Sequence, residues 1–246
     1  MSEFVLGTEV FEPSGDAVSV LCCLPGGPLT RDYWDLDVPG ANGSHSFART
    51  MAGKGHYVVI ADHLGVGASP QLPPDDITVD MMTAAQHATF NAVRRDLPDL
   101  PAIGVGHSMG SMLTAIQQAR YRTYAAIALT GFANRGLDLP VNWQGHLLSA
   151  EVSAAVKAIA AKPPPIPAQM SMVPGSIKPE MDVIDVPVLI ANGDLDITGA
   201  IEDIPAGFPK SPRVDTVVLP QTGHSHHAFE GRHVLYETLD HWVRSL

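Results

Sequence analysis

Short apolar runs recur along the chain, and between them lie segments in which apolar residues return every three or four positions. Apolar runs without alternation predict strands buried on both faces of a sheet. Spacings of three and four predict amphipathic helices. Alternation of the two patterns predicts an α/β fold, a doubly wound and mostly parallel sheet. The predicted strands lie at residues 17–24, 57–62, 101–105, 125–130, 188–191 and 214–219, with a short edge strand within 4–11.

The alternation pauses between residues 132 and 186, where one amphipathic helix is followed by a stretch rich in Pro and Met. This segment is too short for an independent domain, so we expect a small cap or lid insertion over one end of the sheet. The α/β core then comprises residues 1–131 and 187–246, and the cap comprises residues 132–186. The predicted core helices lie at residues 44–54, 77–95, 109–121 and 226–246.

A serine stands between two glycines at residues 106–110 (GHSMG), between a predicted strand and a predicted helix. The glycines permit the strained backbone and the close approach of strand and helix that a sharp turn requires. The Ser108 hydroxyl is then exposed at the helix N-terminus, where free N–H groups favour a developing anion. This pattern is typical of a nucleophile elbow.

Histidines supply candidates for the base that a serine nucleophile requires. His224 follows the last predicted strand and is our candidate, with His63 as the alternative. His226, His227 and His233 are expected at the start of the last helix, on its polar face. The cluster around His224 does not indicate a metal site, because further ligands with a defined spacing are missing.

Two aspartates follow the strand at residues 188–191, between the serine and the base in the chain. The base needs an anion that holds its tautomer and stabilises its protonated form. We favour Asp196 for this role in a catalytic triad with Ser108 and His224. Asp194 is expected to support the turn.

The oxyanion of a tetrahedral intermediate needs two backbone donors. Met109, directly after the serine, supplies one N–H. The other donor is expected in the loop after the first buried strand, residues 25–28 (PGGP). Pro28 has no N–H, so Gly27 is the natural donor and Gly26 is the alternative.

Five motifs in this order resemble those of the α/β-hydrolase superfamily, over essentially the whole chain. Residues 106–110 are similar to the esterase and thioesterase form of the elbow, and residues 25–28 to the H-G-G-P oxyanion loop, with Pro25 in place of the usual histidine. Residues 62–69 resemble the D-x-x-G-x-G-x-S loop. Residues 193–196 match G-x-x-D, in which the last residue is the triad acid, and residues 223–224 match G-H. Prolines that commonly follow the acid and the base are absent.

The resemblance implies a serine hydrolase, because members that open epoxides or displace halide carry aspartate at the elbow. We expect cleavage of a carboxylic ester through an acyl-enzyme, without a metal or an organic cofactor. The same triad also serves carbon–carbon bond hydrolases and lactonases, which is the alternative within enzymes. A ligand-binding sensor on the same fold is the alternative from another class.

Substrate determinants are expected in two stretches. Tyr33 and Trp34 follow the oxyanion loop and are candidates to line the pocket, or else to pack against the insertion. Met170 and Met172 lie in the insertion and suit an adaptable apolar cover. We expect a small or medium-sized, uncharged, partly apolar substrate.

Composition excludes several other classes of protein. The 246 residues are 45% hydrophobic and 17% charged, which is typical of a folded globular protein. A net charge of −11 argues against nucleic acid or an anionic membrane as a partner. Cys22 and Cys23 lie side by side in a buried run, where side chains point to opposite faces and a mutual disulfide is not expected. Residues 1–4 lack the basic and apolar character of a signal peptide, so we expect a cytoplasmic protein.

Overall fold

The computed structural model describes residues 4–133 and 147–246, and their strands form one sheet. The strands are β1 (Thr8–Phe11), β2 (Ser19–Leu24), β3 (His56–Ala61), β4 (Ala102–His107), β5 (Ala126–Thr130), β6 (Val188–Gly193) and β7 (Val214–Leu219). Their order is β1-β3-β2-β4-β5-β6-β7. β1 pairs with β3 in antiparallel orientation, and the other neighbours are parallel. The predicted doubly wound, mostly parallel sheet is confirmed.

Helices pack on both faces of this sheet. They are α1 (Phe47–Gly53), α2 (Val79–Arg94), α3 (Met109–Tyr121), α4 (Ala150–Ala158), α5 (Pro165–Met172), α6 (Lys178–Met181) and α7 (Arg232–Arg244). One core cluster joins β-strand side chains to α2, α3 and α6, and a second joins them to α1 and α7. Every residue of β2, β4, β5 and β6 is buried. Coverage of both faces explains why these strands are apolar without alternation.

α4, α5 and α6 lie between β5 and β6 in the chain. α4 begins after Ser149, whose hydroxyl accepts the N–H of Val152 at 3.3 Å, as in an ordinary N-cap. α5 begins at Pro165, where the missing N–H of proline costs no helical hydrogen bond. The assignment of residues 132–186 to a cap stays a prediction, and 134–146 of that range lie outside the described residues, as do residues 1–3.

The last helix starts later than the sequence predicts. α7 begins at Arg232, and residues 226–228 form a 3₁₀ turn. His226 and His227 are therefore buried in the core, and the prediction that they lie on a polar helix face is wrong. The reason is aromatic packing, since the His227 ring lies 4.4 Å from Tyr33 and 5.5 Å from Phe47, measured between ring centroids.

The cysteines behave as packing residues. Cys22 and Cys23 are free thiols on β2, and both are 0% exposed. Burial raises the pKa of the Cys22 thiol to about 12. Burial also raises the pKa of the Cys23 thiol well above its usual value, so both thiols are protonated at neutral pH. Among the described residues, no helix has the length and apolar character needed to cross a membrane.

Candidate active site

Ser108 lies in the turn between β4 and α3, at the carboxyl edge of the sheet. Its backbone adopts φ 54° and ψ −120°, a conformation that L-residues rarely occupy. A side chain at Gly106 would overlap the backbone of Ser111, and one at Gly110 would overlap the backbone at Leu24. The two glycines therefore let the turn close tightly, and the backbone conformation of Ser108 places its hydroxyl at the start of α3.

Three predicted site residues from different loops meet at this edge. The Nδ1 atom of His224 lies 2.7 Å from Oδ1 of Asp196, and its Nε2 atom lies 2.9 Å from Oγ of Ser108. Because the carboxylate can only accept, Nδ1–H donates to Asp196, and Nε2 accepts the hydroxyl proton of Ser108. The side chains of His224 and Asp196 are 2% and 0% exposed. This arrangement can move a proton from the hydroxyl to the imidazole.

The second aspartate has a different partner. Oδ1 of Asp194 accepts the N–H of Thr222 at 3.0 Å, which ties the loop after β6 to the loop after β7. A side chain at Gly193 would overlap the carbonyl of Thr222, so the two loops touch here through backbone alone. This close contact brings Asp196 and His224 together.

Asp196 is the electrostatic centre of the site. Burial alone would raise the pKa of its carboxyl, but the hydrogen bonds and the electrostatic attraction of the His224 and His226 rings outweigh burial and hold the pKa well below its usual value. Burial and the neighbouring rings of His224 and His226 likewise hold the pKa of His107 well below its usual value. The Nδ1–H of His107 donates to Oγ1 of Thr130 at 3.1 Å, so this neighbour of the serine is turned away from the Ser108 hydroxyl.

The candidate oxyanion donors border Ser108. Ser108 lines two cavities, one of which it shares with Gly27 and Met109 and the other with Gly26. Within the described part of the chain, the N–H groups of Gly27 and Met109 have no hydrogen-bond acceptor, so they are available to a ligand. A side chain at Gly27 would press on the Met109 side chain at 3.3 Å. Their roles as donors stay predictions.

His63, the alternative base, contacts the oxyanion loop instead of the serine. Its Nε2–H donates to the carbonyl of Pro25 at 2.9 Å. The ring is 0% exposed, and burial lowers its pKa to about 4. A neutral imidazole therefore anchors the loop at the position where Pro25 replaces the usual histidine.

Two cavities meet at the serine, and Pro28, Ser108 and His224 line both. The larger has a volume of about 420 Å³, and α4 supplies Ser153, Val156 and Lys157 to its described wall. The smaller has a volume of about 210 Å³ and a wall that is mostly apolar. Its described residues from the sheet side and from the α5 region are Met112, Gly131, Ala133, Pro163, Ala168, Ser171, Met172 and Ile197.

Tyr33 and Trp34, the predicted pocket residues, lie in the core instead. Both side chains are 0% exposed, and neither belongs to the described walls of the two cavities. The 3₁₀ turn Arg31–Tyr33 directs the chain inward, where the Tyr33 ring stacks on His107 at 4.6 Å and Trp34 packs on Phe47 at 5.1 Å. Aromatic burial decided their place. Met172 does line the smaller cavity, whereas Met170 is absent from its described wall.

The structure also adds a residue that the sequence analysis assigned elsewhere. Nε2 of His226 lies 2.7 Å from Oδ2 of Asp196, the oxygen that His224 does not use. The available signal was the His-Ser-His spacing, which puts two imidazoles on one short loop. Among the described residues, no group of three or more His, Cys, Asp or Glu is arranged to hold a metal ion.

Comparisons with known proteins identify the family and the fold. The family model described as "Serine aminopeptidase, S33" matches residues 41–203, more than half of the chain. No curated protein has a significantly similar sequence.

Solved structures share the fold at low sequence identity. A thermostable carboxyl esterase from Bacillus coagulans is 17% identical, with a TM-score of 0.74 over 97% of this chain and 93% of that one. An enol-lactonase from Burkholderia xenovorans is 16% identical, with a TM-score of 0.71 over 99% and 98%. A thermophilic esterase from Thermogutta terrifontis is 20% identical, with a TM-score of 0.70 over 98% and 93%. These similarities establish an α/β-hydrolase fold like that of esterases and lactonases.

Proposed function

Because this chain belongs to the serine aminopeptidase family of the α/β-hydrolase superfamily, we propose that it is a serine hydrolase that cleaves a carboxylic ester. The observation that carries the proposal is the continuous hydrogen-bonded chain from Asp196 through His224 to Ser108. Hydroxyl, imidazole and carboxylate in this order form the arrangement that activates a serine nucleophile.

The first half of the reaction transfers the acyl group to Ser108. Oγ attacks the ester carbon while Nε2 of His224 takes the hydroxyl proton, and Asp196 stabilises the resulting imidazolium. The N–H groups of Gly27 and Met109 bind the oxyanion of the tetrahedral intermediate. The intermediate collapses, the alcohol oxygen leaves with the proton from His224, and an ester of Ser108 remains.

The second half returns the enzyme to its starting state. Water attacks the acyl carbon and gives a proton to Nε2 of His224, and the same two N–H groups bind the second oxyanion. Collapse releases the carboxylic acid, and His224 returns the proton to Oγ of Ser108. One turnover therefore consumes an ester and a water molecule and releases an alcohol and a carboxylic acid.

The two cavities support a substrate with apolar groups on both sides of the ester. Their volumes of about 420 and 210 Å³ suit a small or medium-sized molecule. The charged side chain on the described walls is Lys157, a cation. An aminopeptidase needs an anion to hold the ammonium group of its substrate. The Lys157 cation would repel that ammonium group. This charge favours an ester over a peptide with a free N-terminus.

A panel of p-nitrophenyl esters and the variant Ser108→Ala test the proposal. Wild type is expected to release p-nitrophenol from short esters, and the variant should lose about 10⁴-fold or more in kcat. Ser153→Ala is the matched control, because it removes a serine hydroxyl from the wall of the larger cavity and leaves Ser108, His224 and Asp196 unchanged. A fluorophosphonate should form one adduct, which mass spectrometry locates on Ser108.

Other outcomes assign the site differently. Turnover that survives in Ser108→Ala, or an adduct on another residue, contradicts the proposal. Turnover of lactones or diketones with no turnover of simple esters would move the chain to the lactonases or carbon–carbon bond hydrolases. Saturable ligand binding by calorimetry without any turnover by wild type would make it a sensor.

A further inference from the structure

Asp196 accepts hydrogen bonds from two histidines, one on each carboxylate oxygen. His224 contacts Oδ1 and His226 contacts Oδ2, both at 2.7 Å. All three side chains are buried, with 2% exposure for His224 and none for the other two. Because a carboxylate has two acceptor oxygens, the two histidines do not compete for the same oxygen.

The hydrogen bonds of His226 define its protonation state. Nε2 carries a proton, because its partner is an ionised carboxylate that can only accept. Nδ1 has no hydrogen-bond partner among the described residues. A doubly protonated ring would bury an unsatisfied N–H at this atom, whereas a neutral ring leaves only an unused lone pair. The neutral Nε2–H tautomer therefore fits the site.

The backbone aligns the two imidazoles with the carboxylate. The N–H of His226 donates to the carbonyl of His224 at 3.0 Å, which folds the loop back on itself. The 3₁₀ turn that begins at His226 continues this fold, with the N–H of Phe229 donating to the carbonyl of His226 at 3.1 Å. With Ser225 between them, the two rings reach opposite oxygens of one Asp196 side chain.

We propose that His226 is a positioning residue, which holds the second oxygen of Asp196 so that the first oxygen faces His224. A carboxylate bound at one oxygen can rotate about its terminal bond, because that torsion has a broad energy profile. The second hydrogen bond removes this freedom. It also takes up part of the negative charge, so the carboxylate stabilises the protonated form of His224 less strongly than a carboxylate with one partner would.

This inference rests on the proposed function, since it concerns the base of that reaction. The titratable groups that face the His226 side chain are Asp196, His224, His107 and His227, and Tyr33 faces the His226 backbone. None of them is altered in the test below. A shift in the pH profile of kcat/KM then reports on the hydrogen bond between residue 226 and Asp196, which one variant removes and the other keeps.

Two variants of His226 separate hydrogen bonding from packing. His226→Phe keeps an aromatic ring and removes the donor, whereas His226→Gln keeps an N–H donor and cannot take up a proton. In His226→Phe we expect kcat/KM to fall about 10- to 100-fold, because a poorly oriented base loses effective concentration. The midpoint of the acidic limb of kcat/KM should move about half a pH unit or more to higher pH. His226→Gln should keep the wild-type midpoint and lie within about tenfold of wild-type kcat/KM.

Circular dichroism and thermal melts establish that each variant is folded, and His226→Leu replaces the phenylalanine variant if the latter does not fold. A wild-type pH profile in the folded Phe or Leu variant overturns the proposal, and so does a shift to lower pH. Equal impairment of His226→Gln would also overturn it, because the retained donor would then be without effect. If wild type cleaves no ester and forms no fluorophosphonate adduct, the proposed function fails before His226 is tested.

Discussion

His63 offers a quantitative test, because its ring is fully buried and its pKa is lowered to about 4 by that burial. The variant His63→Gln replaces the imidazole with an amide that can still donate to the carbonyl of Pro25 but does not titrate. The perturbation therefore removes one proton-binding site and keeps the hydrogen bond to the oxyanion loop.

The sign and size of the effect follow from the two pKa values. His63 binds a proton near pH 6.5 in the unfolded chain and near pH 4 in the folded one. Between these values the unfolded state binds more protons, so this contribution to stability is present above pH 6.5 and is lost as the pH falls towards 4. At pH 5 the unfolded ring is almost fully protonated and the folded ring is not. At 1.36 kcal/mol per unit, this favours unfolding by about 2 kcal/mol relative to pH 7.

Urea titrations of wild type and His63→Gln at pH 5, 6, 7 and 8, at constant ionic strength, measure this effect. Between pH 7 and pH 5, wild type should lose about 2 kcal/mol more of its free energy of unfolding than the variant. The other buried histidines are present in both proteins, so their contributions cancel in the difference. His233→Gln, at a side chain that is 57% exposed, gives the effect of removing a solvent-facing histidine.

Equal losses in wild type and His63→Gln, within about 0.5 kcal/mol, would refute the reasoning. They would mean that the folded protein protonates His63 as readily as the unfolded chain does. A larger loss in the variant than in wild type would mean that protonation of His63 stabilises the folded protein.

Two further predictions concern packing and the cavities. Trp34→Phe shrinks a fully buried ring, so it should lower the free energy of unfolding in urea by roughly 1–3 kcal/mol and leave KM within about twofold. A changed KM without a loss of stability would return Trp34 to the pocket wall. Val156→Trp should fill the larger cavity and lower kcat/KM for octanoate esters at least about tenfold relative to acetate esters. Val183→Trp, at an exposed site outside both described walls, is the control, and an equal effect there would contradict the assignment.

Much of the fold can be predicted from the sequence, because strands that are buried on both faces of the sheet must be apolar. The runs at residues 188–191 and 214–219 correspond to β6 and β7 with few changes at their ends. The elbow can also be predicted, since only glycine fits the close contacts at residues 106 and 110. Local chemistry, read from neighbouring residues, suffices for both.

Beyond the predicted triad, the partners of individual side chains were decided by the tertiary structure. Asp194 and Asp196 are separated in the sequence only by the G-x-x-D match, and their different partners arise because the chain turns one towards Thr222 and the other towards His224. Tyr33 follows the oxyanion loop in sequence but is drawn into the core by His107.

His226 shows most clearly the difference between what the sequence predicts and what the tertiary structure decides. The sequence gives its residue type and its spacing from His224, but its partner Asp196 is thirty residues away. A histidine suits a polar helix face and a buried hydrogen bond equally well. Which of these it adopts depends on the close backbone contact between Gly193 and Thr222, which brings the two loops together. The sequence by itself therefore determined the sheet and the nucleophile turn, and packing between loops determined which side chains meet there.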